Sequence, residues 1–222
     1  MSEVLEICCD ASMRKFNDTE RIFTCSGAIC INTMEEQYVI TPDSTNNRGE
    51  LFAVYLGIKL AEKIMLEYPG RFSRINLYSD SKFSIYGLKT WMPNWLATQD
   101  ANGIIYGSNR EPVKNQELFM MIITYLVTHN MVINFHHQKG HVNTNSSKAL
   151  ANANRVFKDS NGFWLKPEDV FKISFYNDIV DKNSRKQLDY IDQSQYPIMQ
   201  YSEDNVQMCR FQIPLNYRDF VR

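Results

Sequence analysis

The sequence lacks a net charge of either sign that would attract or repel a partner, and it lacks a long hydrophobic run. Its 222 residues carry 24 Lys and Arg against 25 Asp and Glu, which gives a formal net charge of −1. Any contact with nucleic acid must therefore come from a local patch. The apolar runs are short and broken by charges, so we expect no transmembrane helix and no membrane partner.

The sequence also lacks a cysteine pattern for disulfides or zinc. The five cysteines include no CxxC pair, and their number is odd; they are Cys8, Cys9, Cys25, Cys30 and Cys209. Cys8 and Cys9 are adjacent in a strand-like run, so their side chains should point to opposite faces. We expect reduced thiols packed as small hydrophobes. The stretch MSEVLEICCDAS has no basic region, so we expect no signal peptide and a cytoplasmic location.

The first third of the chain predicts three strands and a long helix. VLEICCDAS is typical of a buried strand that ends in Asp10, and RIFTCSGAICIN (residues 21–32) predicts a second strand. QYVITP predicts a third strand, which Pro42 ends. Ser44 and Thr45 then precede a helix from about Asn47 to Tyr68, because apolar residues recur there at helical spacing.

The next segments predict helices between two further strands. RINLYSDS alternates in polarity and ends in Asp80, and SKFSIYGLKTWMPNWL predicts a short helix interrupted near Pro93. PVKNQELFMMIITYLVTHN predicts a helix that begins at Pro112, and MVINFHHQ predicts another strand. These elements together indicate an α/β fold, with a mixed sheet flanked by helices.

Three carboxylates occupy the ends of predicted elements. Asp10 and Asp80 end strands that should be neighbours, and Glu50 lies in the predicted first turn of the long helix. Sites in α/β sheets lie beyond strand ends. Converging carboxylates repel one another and are costly to bury, and hard divalent cations such as Mg²⁺ or Mn²⁺ relieve that cost. The alternative for Glu50 is an exposed glutamate favoured by the helix dipole.

Several motifs resemble those of one family. TNNRGEL (residues 45–51) resembles the TNNRxEL element of type 1 ribonuclease H. Five shorter motifs follow the same family order: DAS at Asp10, YSDSKF around Asp80, WMPNW at 91–95, PVKN at 112–115 and KGH at 139–141. The resemblance covers about residues 4–142. It implies a ribonuclease H-like fold, with a mixed five-stranded sheet in the order βββαβαβα.

The resemblance also implies an activity. This family hydrolyses the RNA strand of an RNA–DNA hybrid with two metal ions and four acidic residues, leaving a 5′-phosphate and a 3′-hydroxyl. By resemblance, Asp10, Glu50 and Asp80 are ligands of two Mg²⁺ ions, for which Mn²⁺ can substitute. His141 of KGH matches the family's histidine, which assists proton transfer or product release. As an isolated residue it would be a solvated loop histidine.

The fourth acidic residue departs from the family pattern. VNTNSSKALANANRVF, which follows His141, has no carboxylate, although Asn152 or Asn154 could ligate weakly. Further on, YNDIVDKNSRKQL repeats the family's spacing. In this segment Asn177 takes the first position of the pattern, Asp181 the acidic position and Arg185 the last position. We therefore predict that Asp181 starts the final helix and is the fourth metal ligand. The alternative is an ordinary surface charge.

This displacement of Asp181 predicts an insertion. We expect residues 1–192 to form one ribonuclease H-like domain, in which residues 143–175 are an inserted helical segment before the last helix. Residues 193–222 would be a C-terminal extension, and the extended C-terminal part resembles that of large-phage ribonucleases H. If the source is viral, the location would be the host cytoplasm. No protein partner can be identified from the sequence.

The substrate contacts implied by the resemblance are spread along the chain. Asn47 and Asn115 match residues that contact the minor groove of the hybrid, where the 2′-hydroxyls lie. Lys82 could touch a phosphate, and Trp95 could face the sugars of the DNA strand or pack in the core. The lysine-rich segment of many relatives is replaced by LATQDANGIIYGSNRE, whose only basic residue is Arg110.

Two other functions compete with hybrid cleavage. A binding module of the same fold would hold a hybrid or double-stranded RNA without cleaving it. The scarcity of basic residues in the segment that replaces the lysine-rich one favours this alternative. A nuclease of the same fold could act on DNA, but TNNRGEL and the two asparagines argue against this. The retained acidic residues favour an enzyme, because a pure binder gains nothing from negative charge beside phosphates.

Overall fold

Five strands form one mixed sheet in the computed structural model, which describes residues 2–196 and 217–222. The strands are β1 (Glu3–Lys15), β2 (Ile22–Cys30), β3 (Glu36–Pro42), β4 (Phe72–Ser79) and β5 (Ile133–His137). Their order in the sheet is β3-β2-β1-β4-β5. The first three strands pair antiparallel, whereas β1 with β4 and β4 with β5 pair parallel. The predicted mixed five-stranded sheet is confirmed.

Six α-helices accompany the sheet in the described part of the chain. They are α1 (Asn46–Glu67), α2 (Lys82–Tyr86), α3 (Met92–Leu96), α4 (Gln116–Thr128), α5 (Ser147–Asn161) and α6 (Pro167–Asp189). Thr45 caps α1, because its side chain accepts a hydrogen bond from the backbone N–H of Arg48. Within residues 2–196 and 217–222, none of the helices has the length and apolar character needed to cross a bilayer.

The two faces of the sheet carry separate clusters of apolar side chains. Cys9 packs in the large core that α1 and α4 cover, and Cys8 packs on the opposite face under α5 and α6. The alternation that places them apart is that of a β-strand, so this prediction is confirmed. Cys8, Cys9, Cys25 and Cys30 are buried free thiols. Cys209 lies outside the described residues.

One of two predicted helix features is confirmed and the other is wrong. The helical segment after β4 is interrupted near Pro93, as predicted, by a π-helical turn, Gly87–Trp91, that ends directly before α3. Pro93 is the second residue of α3 and has no N–H to donate to the preceding turn. Pro112 does not begin α4; it forms an antiparallel bridge with Tyr106, and the helix starts only after Asn115. Asn115 has a φ of 56°, a left-handed conformation that a continuous helix cannot include.

The last helix begins much earlier than the spacing of Asp181 predicts. Helix α6 is continuous from Pro167 to Asp189, and Asp181 lies well inside it. Lys166 precedes a proline, and the first turn carries two acidic residues, both of which favour a helix start there. The segment predicted as an insertion, residues 143–175, therefore contains α5 and the first part of α6. Its status as an insertion stays a prediction.

The final residues of the chain join the sheet beside β5. The N–H of Ile133 donates to the carbonyl of Phe220 (3.0 Å), and the N–H of Phe135 donates to the carbonyl of Arg222 (2.8 Å). Tyr217 and Phe220 are buried in the same core as α1 and α4. Part of the predicted extension is thus integral to the fold. Its two prolines, Pro197 and Pro214, lie outside the described residues.

Candidate active site

Asp10 lies within β1 rather than at its end. The parallel pairing with β4 stops at Cys8, whereas the antiparallel pairing with β2 continues to Lys15. The prediction that Asp10 closes the strand is therefore wrong, because β2 alone supports the five further residues. Its side chain, which is 3% exposed, still lies beyond the end of the parallel pairing. Asp80 directly follows the last residue of β4, so the two carboxylates meet at one edge.

Glu50 is the fifth residue of α1 and not part of its first turn. Gly49 lets this helix approach the sheet closely, because a Cβ there would lie 3.0 Å from Cβ of Thr24 and 3.3 Å from Cβ of Ala11. The carbonyl of Gly49 also accepts a hydrogen bond from Oγ of Ser26 (2.7 Å). This seating buries Glu50, which is 8% exposed. This burial excludes the alternative interpretation, in which Glu50 is an exposed glutamate favoured by the helix dipole.

Asp10, Glu50 and Asp80 form a compact carboxylate cluster. One oxygen of each lies within 4.8 Å of the others. Burial, followed by the charge of Asp80, raises the pKa of Glu50 from 4.5 to about 8. Burial also raises the pKa of Asp10 and, to a smaller extent, that of Asp80. The structure brings these residues together as the sequence predicts, although their role as ligands stays a prediction.

The donor set fits a hard divalent cation. All three groups present carboxylate oxygens, the ligands that Mg²⁺ and Mn²⁺ prefer. Glu50 Oε2 is buried and has no hydrogen-bond partner among the described residues. A buried polar atom without a partner is costly, and a cation would satisfy it. The cluster therefore has the donor chemistry of a metal site, with Asp10, Glu50 and Asp80 as candidate ligands.

The cluster opens into a cleft with a volume of about 680 Å³. Its lining includes the carboxylates and six further polar residues of the predicted or neighbouring motifs: Asn46, Asn47, Lys82, His141, Asp181 and Arg185. Asn47 and Lys82 are exposed at this cleft, where a phosphodiester chain could reach them. Their predicted contacts with substrate are compatible with these positions and stay predictions.

Asp181 faces the cleft from α6 but is held by other partners. Ser12 Oγ donates to Asp181 Oδ1 (2.9 Å), and the guanidinium of Arg185 contacts both carboxylate oxygens. The exposed His141 approaches from the other side, with Nδ1 3.6 Å from Asp181 Oδ2. Asp181 is 5% exposed, so it is not an ordinary surface charge. It lies beside the three clustered carboxylates and is the candidate fourth acid.

The KGH motif brings the chain directly against Asp80. A Cβ on Gly140 would lie 1.8 Å from Asp80 Oδ2 and 2.8 Å from its Cγ, so any side chain there would displace the Asp80 carboxylate. His141 follows with a φ of 50° and a side chain that is 69% exposed. His136 and His137 belong to β5, as the sequence predicts, and both are buried. Gly140 is therefore part of the site's architecture, for a steric reason that the motif alone does not reveal.

Two buried amides beside the cluster were missed as site residues. Asn177 Nδ2 lies 3.4 Å from both Asp10 Oδ2 and Asp80 Oδ2. Gln138 Nε2 donates to Asn177 Oδ1 at 2.6 Å. The available signal was the position of Asn177 at the start of the family-like N-D-x-x-D spacing. Nothing in the sequence around Gln138 indicates this contact, because its partner is 39 positions away.

The nearer asparagines do not replace Asp181. Asn154 exchanges two hydrogen bonds with the backbone of Leu165, at 3.0 and 3.1 Å. Asn152 accepts a hydrogen bond from Arg155. These hydrogen bonds hold both side chains to α5 and to the segment that follows it, and neither residue lines the cleft. Among the candidates that the sequence offers for the fourth ligand, only Asp181 reaches the site.

Asn115 and Trp95 lie outside the carboxylate cleft. The left-handed conformation of Asn115 precedes α4, and Arg48 Nη1 donates to its Oδ1 at 3.3 Å. Arg48 also pairs with Glu117, so it connects the starts of α1 and α4. Trp95 packs edge-on against Phe119 at 5.3 Å between ring centroids. It also lines a surface groove with Trp91, Asn94, Thr98, Tyr106, Gly107, Ser108 and Asn109.

A mixed sheet in this order, with acidic residues meeting beside β1, β4 and the start of α1, defines the ribonuclease H-like class of α/β proteins. The family model described as RNase H matches residues 2–156. The chain therefore belongs to the RNase H family.

Relatives with this family name are moderately similar. The ribonuclease H of Rickettsia akari is 30% identical over 107 residues, which are 48% of this chain and 60% of that protein. The ribonuclease H of Legionella pneumophila is 36% identical over 100 residues, or 45% of this chain and 59% of that protein. The chain thus spans about 60% of the length of these curated relatives.

A solved structure of low sequence identity supports the fold but no functional assignment. A crystal structure of the prototype foamy virus protease-reverse transcriptase, CSH mutant, aligns with a TM-score of 0.53 and 18% identity. The alignment covers 86% of this chain and 22% of that chain. At this identity the likeness concerns the arrangement of elements and carries no statement about activity. The resemblance to phage ribonucleases H stays a prediction.

Proposed function

We propose that this protein is a metal-dependent endonuclease that hydrolyses the RNA strand of RNA–DNA hybrids, leaving 5′-phosphate and 3′-hydroxyl ends. The observation that carries the proposal is the convergence of Asp10, Glu50 and Asp80 in one cleft of an RNase H family chain. Clustered acids beside a phosphate backbone are unfavourable unless cations are present. A metal-dependent reaction on a phosphodiester accounts for their presence.

The cofactor is proposed to be two Mg²⁺ ions, with Mn²⁺ able to substitute. Asp10, Glu50 and Asp80 would hold them, with Asp181 as the fourth acidic residue. When bound, such ions supply Lewis-acid stabilisation of phosphoryl oxygens and lower the pKa of water. The raised pKa of Glu50, about 8, supports this assignment, because a cation would offset the repulsion and burial that raise it.

The remaining residues of the cleft have roles in holding the substrate and moving protons. His141 is exposed at the cleft and close to Asp181, so its imidazole can accept or donate a proton there. Lys82 would contact a phosphate of the RNA strand, since it is a cation next to Asp80. Asn47 and Asn115 would bind in the minor groove, and Trp95 would lie against sugars of the DNA strand.

A hybrid-binding module of the same fold is the second candidate. The observation that favours it is that Asp181, the candidate fourth acidic residue, already pairs with Arg185 and accepts a hydrogen bond from Ser12. A binder, however, would not need two buried carboxylates and a half-buried third facing the phosphates. A DNA nuclease of this fold is a weaker candidate, because the predicted minor-groove asparagines would recognise 2′-hydroxyls that DNA lacks.

Cleavage of an end-labelled RNA–DNA hybrid tests the proposal directly. The reactions would contain Mg²⁺ or Mn²⁺ and compare the wild type with Asp10→Asn and Asp178→Asn. Asp178 is a matched control, because it lies on α6 and pairs with Lys182 away from the cluster. We expect metal-dependent cutting of the RNA strand that only Asp10→Asn abolishes, with products that a 5′-phosphate-dependent exonuclease can degrade.

The same experiment distinguishes the alternatives. Hybrid binding without cleavage in either metal would support the binding module and refute the nuclease. Equal cleavage of a DNA duplex of the same sequence would identify a DNA nuclease instead. Double-stranded RNA serves as a third substrate, since it carries 2′-hydroxyls on both strands.

A further inference from the structure

Gln138 and Asn177 form a buried amide pair behind the carboxylate cluster. Each side chain is 2% exposed, and neither lines the cleft. Gln138 directly follows β5, and Asn177 lies on α6, one helical turn before Asp181. Burying amides costs free energy unless they are hydrogen bonded, so their contacts indicate what they do at this position.

The contacts fix which way the amide of Asn177 faces. Gln138 Nε2 donates to Asn177 Oδ1 at 2.6 Å, so the oxygen of Asn177 points away from the cluster. Its Nδ2 then lies 3.4 Å from Asp10 Oδ2 and 3.4 Å from Asp80 Oδ2. An amide nitrogen carries two hydrogens, one for each carboxylate. The reversed amide would place its oxygen against two negative groups, and the donation from Gln138 Nε2 favours the observed orientation.

The pair also connects the elements that carry the carboxylates. The backbone N–H of Gln138 donates to the carbonyl of Ser79 at 3.0 Å, directly before Asp80. Asn177 belongs to α6, which packs across β1 close to Asp10. The amide of Asn177 therefore lies between two carboxylates on different strands. A neutral hydrogen-bond donor at that position reduces the repulsion between the two carboxylates. Because it carries no charge, it leaves their negative charge available to a cation.

We propose that Gln138 and Asn177 are positioning residues for metal binding: Gln138 orients the amide of Asn177, which holds Asp10 and Asp80 at the separation that a divalent cation needs. This inference rests on the proposed function, because it takes the cluster to be a metal site. Neither residue touches the substrate or the reacting atoms. Their effect passes through the two carboxylates, as it does for residues that orient ligands in other metal sites.

Metal binding in the absence of nucleic acid gives a direct test. Titration calorimetry with MgCl₂ would compare the full-length wild type with Gln138→Met and Asn177→Leu, which remove the donors and keep the approximate volume. We expect the Kd for Mg²⁺ to rise about tenfold in each variant, the loss typical of residues that orient metal ligands. In hybrid cleavage, kcat at low Mg²⁺ should fall and recover at high Mg²⁺, while KM for the hybrid is unchanged.

Asn134→Leu is the control for loss of a hydrogen-bonded amide elsewhere in the fold, at a half-buried position. Asn134 lies on β5 and bonds the carbonyl of Ile75 and the side chain of Asn76, away from the cluster. This variant should lower the thermal midpoint and leave the Kd for Mg²⁺ unchanged. If Asn177→Leu does not fold, Gln138→Met still carries the test, because it removes one donor and leaves Asn177 in place.

The outcomes separate this inference from the proposed function. An unchanged Kd for Mg²⁺ in Gln138→Met, with a lowered thermal midpoint, would make the pair purely structural and overturn the inference. A wild type that binds no Mg²⁺ or Mn²⁺ would overturn it as well. A wild type that binds Mg²⁺ but does not cleave the hybrid would refute the nuclease, and calorimetry would still decide whether the pair positions the ligands.

Discussion

The guanidinium of Arg185 holds both carboxylate oxygens of Asp181, with Nε 2.9 Å from Oδ1 and Nη2 2.8 Å from Oδ2. The two residues are one helical turn apart on α6, and Ser12 adds a third hydrogen bond to the same carboxylate. A cation beside Asp181 offsets the repulsion that a fourth carboxylate brings to the cluster. The helix can therefore place Asp181 at the site at a lower electrostatic cost.

The first prediction concerns Asp181. Asp181→Asn should lower kcat for hybrid cleavage at least about tenfold, since the site loses an acidic group near the metal ions. The protein should stay folded with a modestly lower thermal midpoint, because the amide oxygen can still accept from Ser12 Oγ and Arg185 Nε, whereas the contact of Arg185 Nη2 with the second carboxylate oxygen is lost. Steady-state kinetics and thermal unfolding measure the two effects. A wild-type rate in Asp181→Asn would remove this residue from the proposed site.

The second prediction concerns Gly140. Gly140→Ala should abolish cleavage and weaken Mg²⁺ binding, because its Cβ would occupy the space 1.8 Å from Asp80 Oδ2. Gly162→Ala is the matched control: no atom lies within 4 Å of a Cβ there, but its φ of 88° makes an alanine strained. The control should lose about 1 kcal/mol of stability and keep full activity. Equal activity in both variants would contradict the close packing against Asp80.

The third prediction concerns pH and metal together. Because the pKa of Glu50 is raised from 4.5 to about 8, the native state binds more protons than the unfolded state between these values. The buried His136 and His137, whose pKa values are lowered from 6.5 to about 4, act in the opposite direction between those values. Above their window, the stability of the metal-free protein should therefore fall as the pH rises towards the raised pKa of Glu50. Mg²⁺ should raise the thermal midpoint more at pH 8 than at pH 5, since the ion binds the ionised cluster.

Thermal unfolding in a chelator, over a series of pH values, measures this dependence. Glu50→Gln should make the decline in midpoint shallower, because it removes one of the ionisable groups whose pKa burial raises. Glu67→Gln, at the exposed last residue of the same helix, serves as the control and should keep the decline. A midpoint of the wild type that rises between about pH 7 and pH 8, above the window of His136 and His137, would contradict the prediction.

The sequence predicts the carboxylate cluster well because its signals are local. The TNNRGEL motif contains both the helix cap at Thr45 and the buried Glu50. Strand alternation followed by an acidic residue identifies Asp10 and Asp80, even though β1 continues to Lys15. That continuation depends on pairing with β2, and a single strand's composition does not specify how far its partner extends.

The features that the sequence does not predict depend on distant partners. The spacing around Asp181 identifies the residue but misplaces the start of α6. The residues that favour a helix start are at Pro167, whereas the motif lies further along the helix. The amide pair of Gln138 and Asn177 forms only after β5 and α6 meet. Similarly, the pairing of Val221 with Ile133 joins two segments far apart in the chain.

The fourth prediction concerns recognition of the RNA strand. If Asn47 and Asn115 contact 2′-hydroxyls, their loss should reduce hybrid cleavage without changing any cleavage of a DNA duplex. Asn115→Gly is the appropriate variant, since glycine keeps the φ of 56° without strain. The lost contacts predict a higher KM for the hybrid by roughly threefold to tenfold, in line with one hydrogen bond. Unaltered discrimination between hybrid and DNA duplex would exclude these asparagines from 2′-hydroxyl recognition.

The fifth prediction concerns the C-terminal residues beside β5. Deletion of residues 217–222 should lower the thermal midpoint, because it exposes the edge of β5 and removes two buried aromatic rings from the core. Phe220→Ala separates these effects, since it keeps the backbone hydrogen bonds and should cost about 3 kcal/mol of stability.

Hybrid affinity distinguishes a structural tail from one that binds the substrate. Because Tyr217 and Phe220 are buried in the core under α1 and α4, we expect the deletion to leave the salt dependence of hybrid binding unchanged. Arg218→Ala is the control for charge, since it removes an exposed cation from the same segment and leaves both rings in place. A reduced salt dependence in Arg218→Ala, with an unchanged midpoint, would instead assign this segment to the substrate, and the edge of β5 would then serve to anchor a nucleic-acid contact.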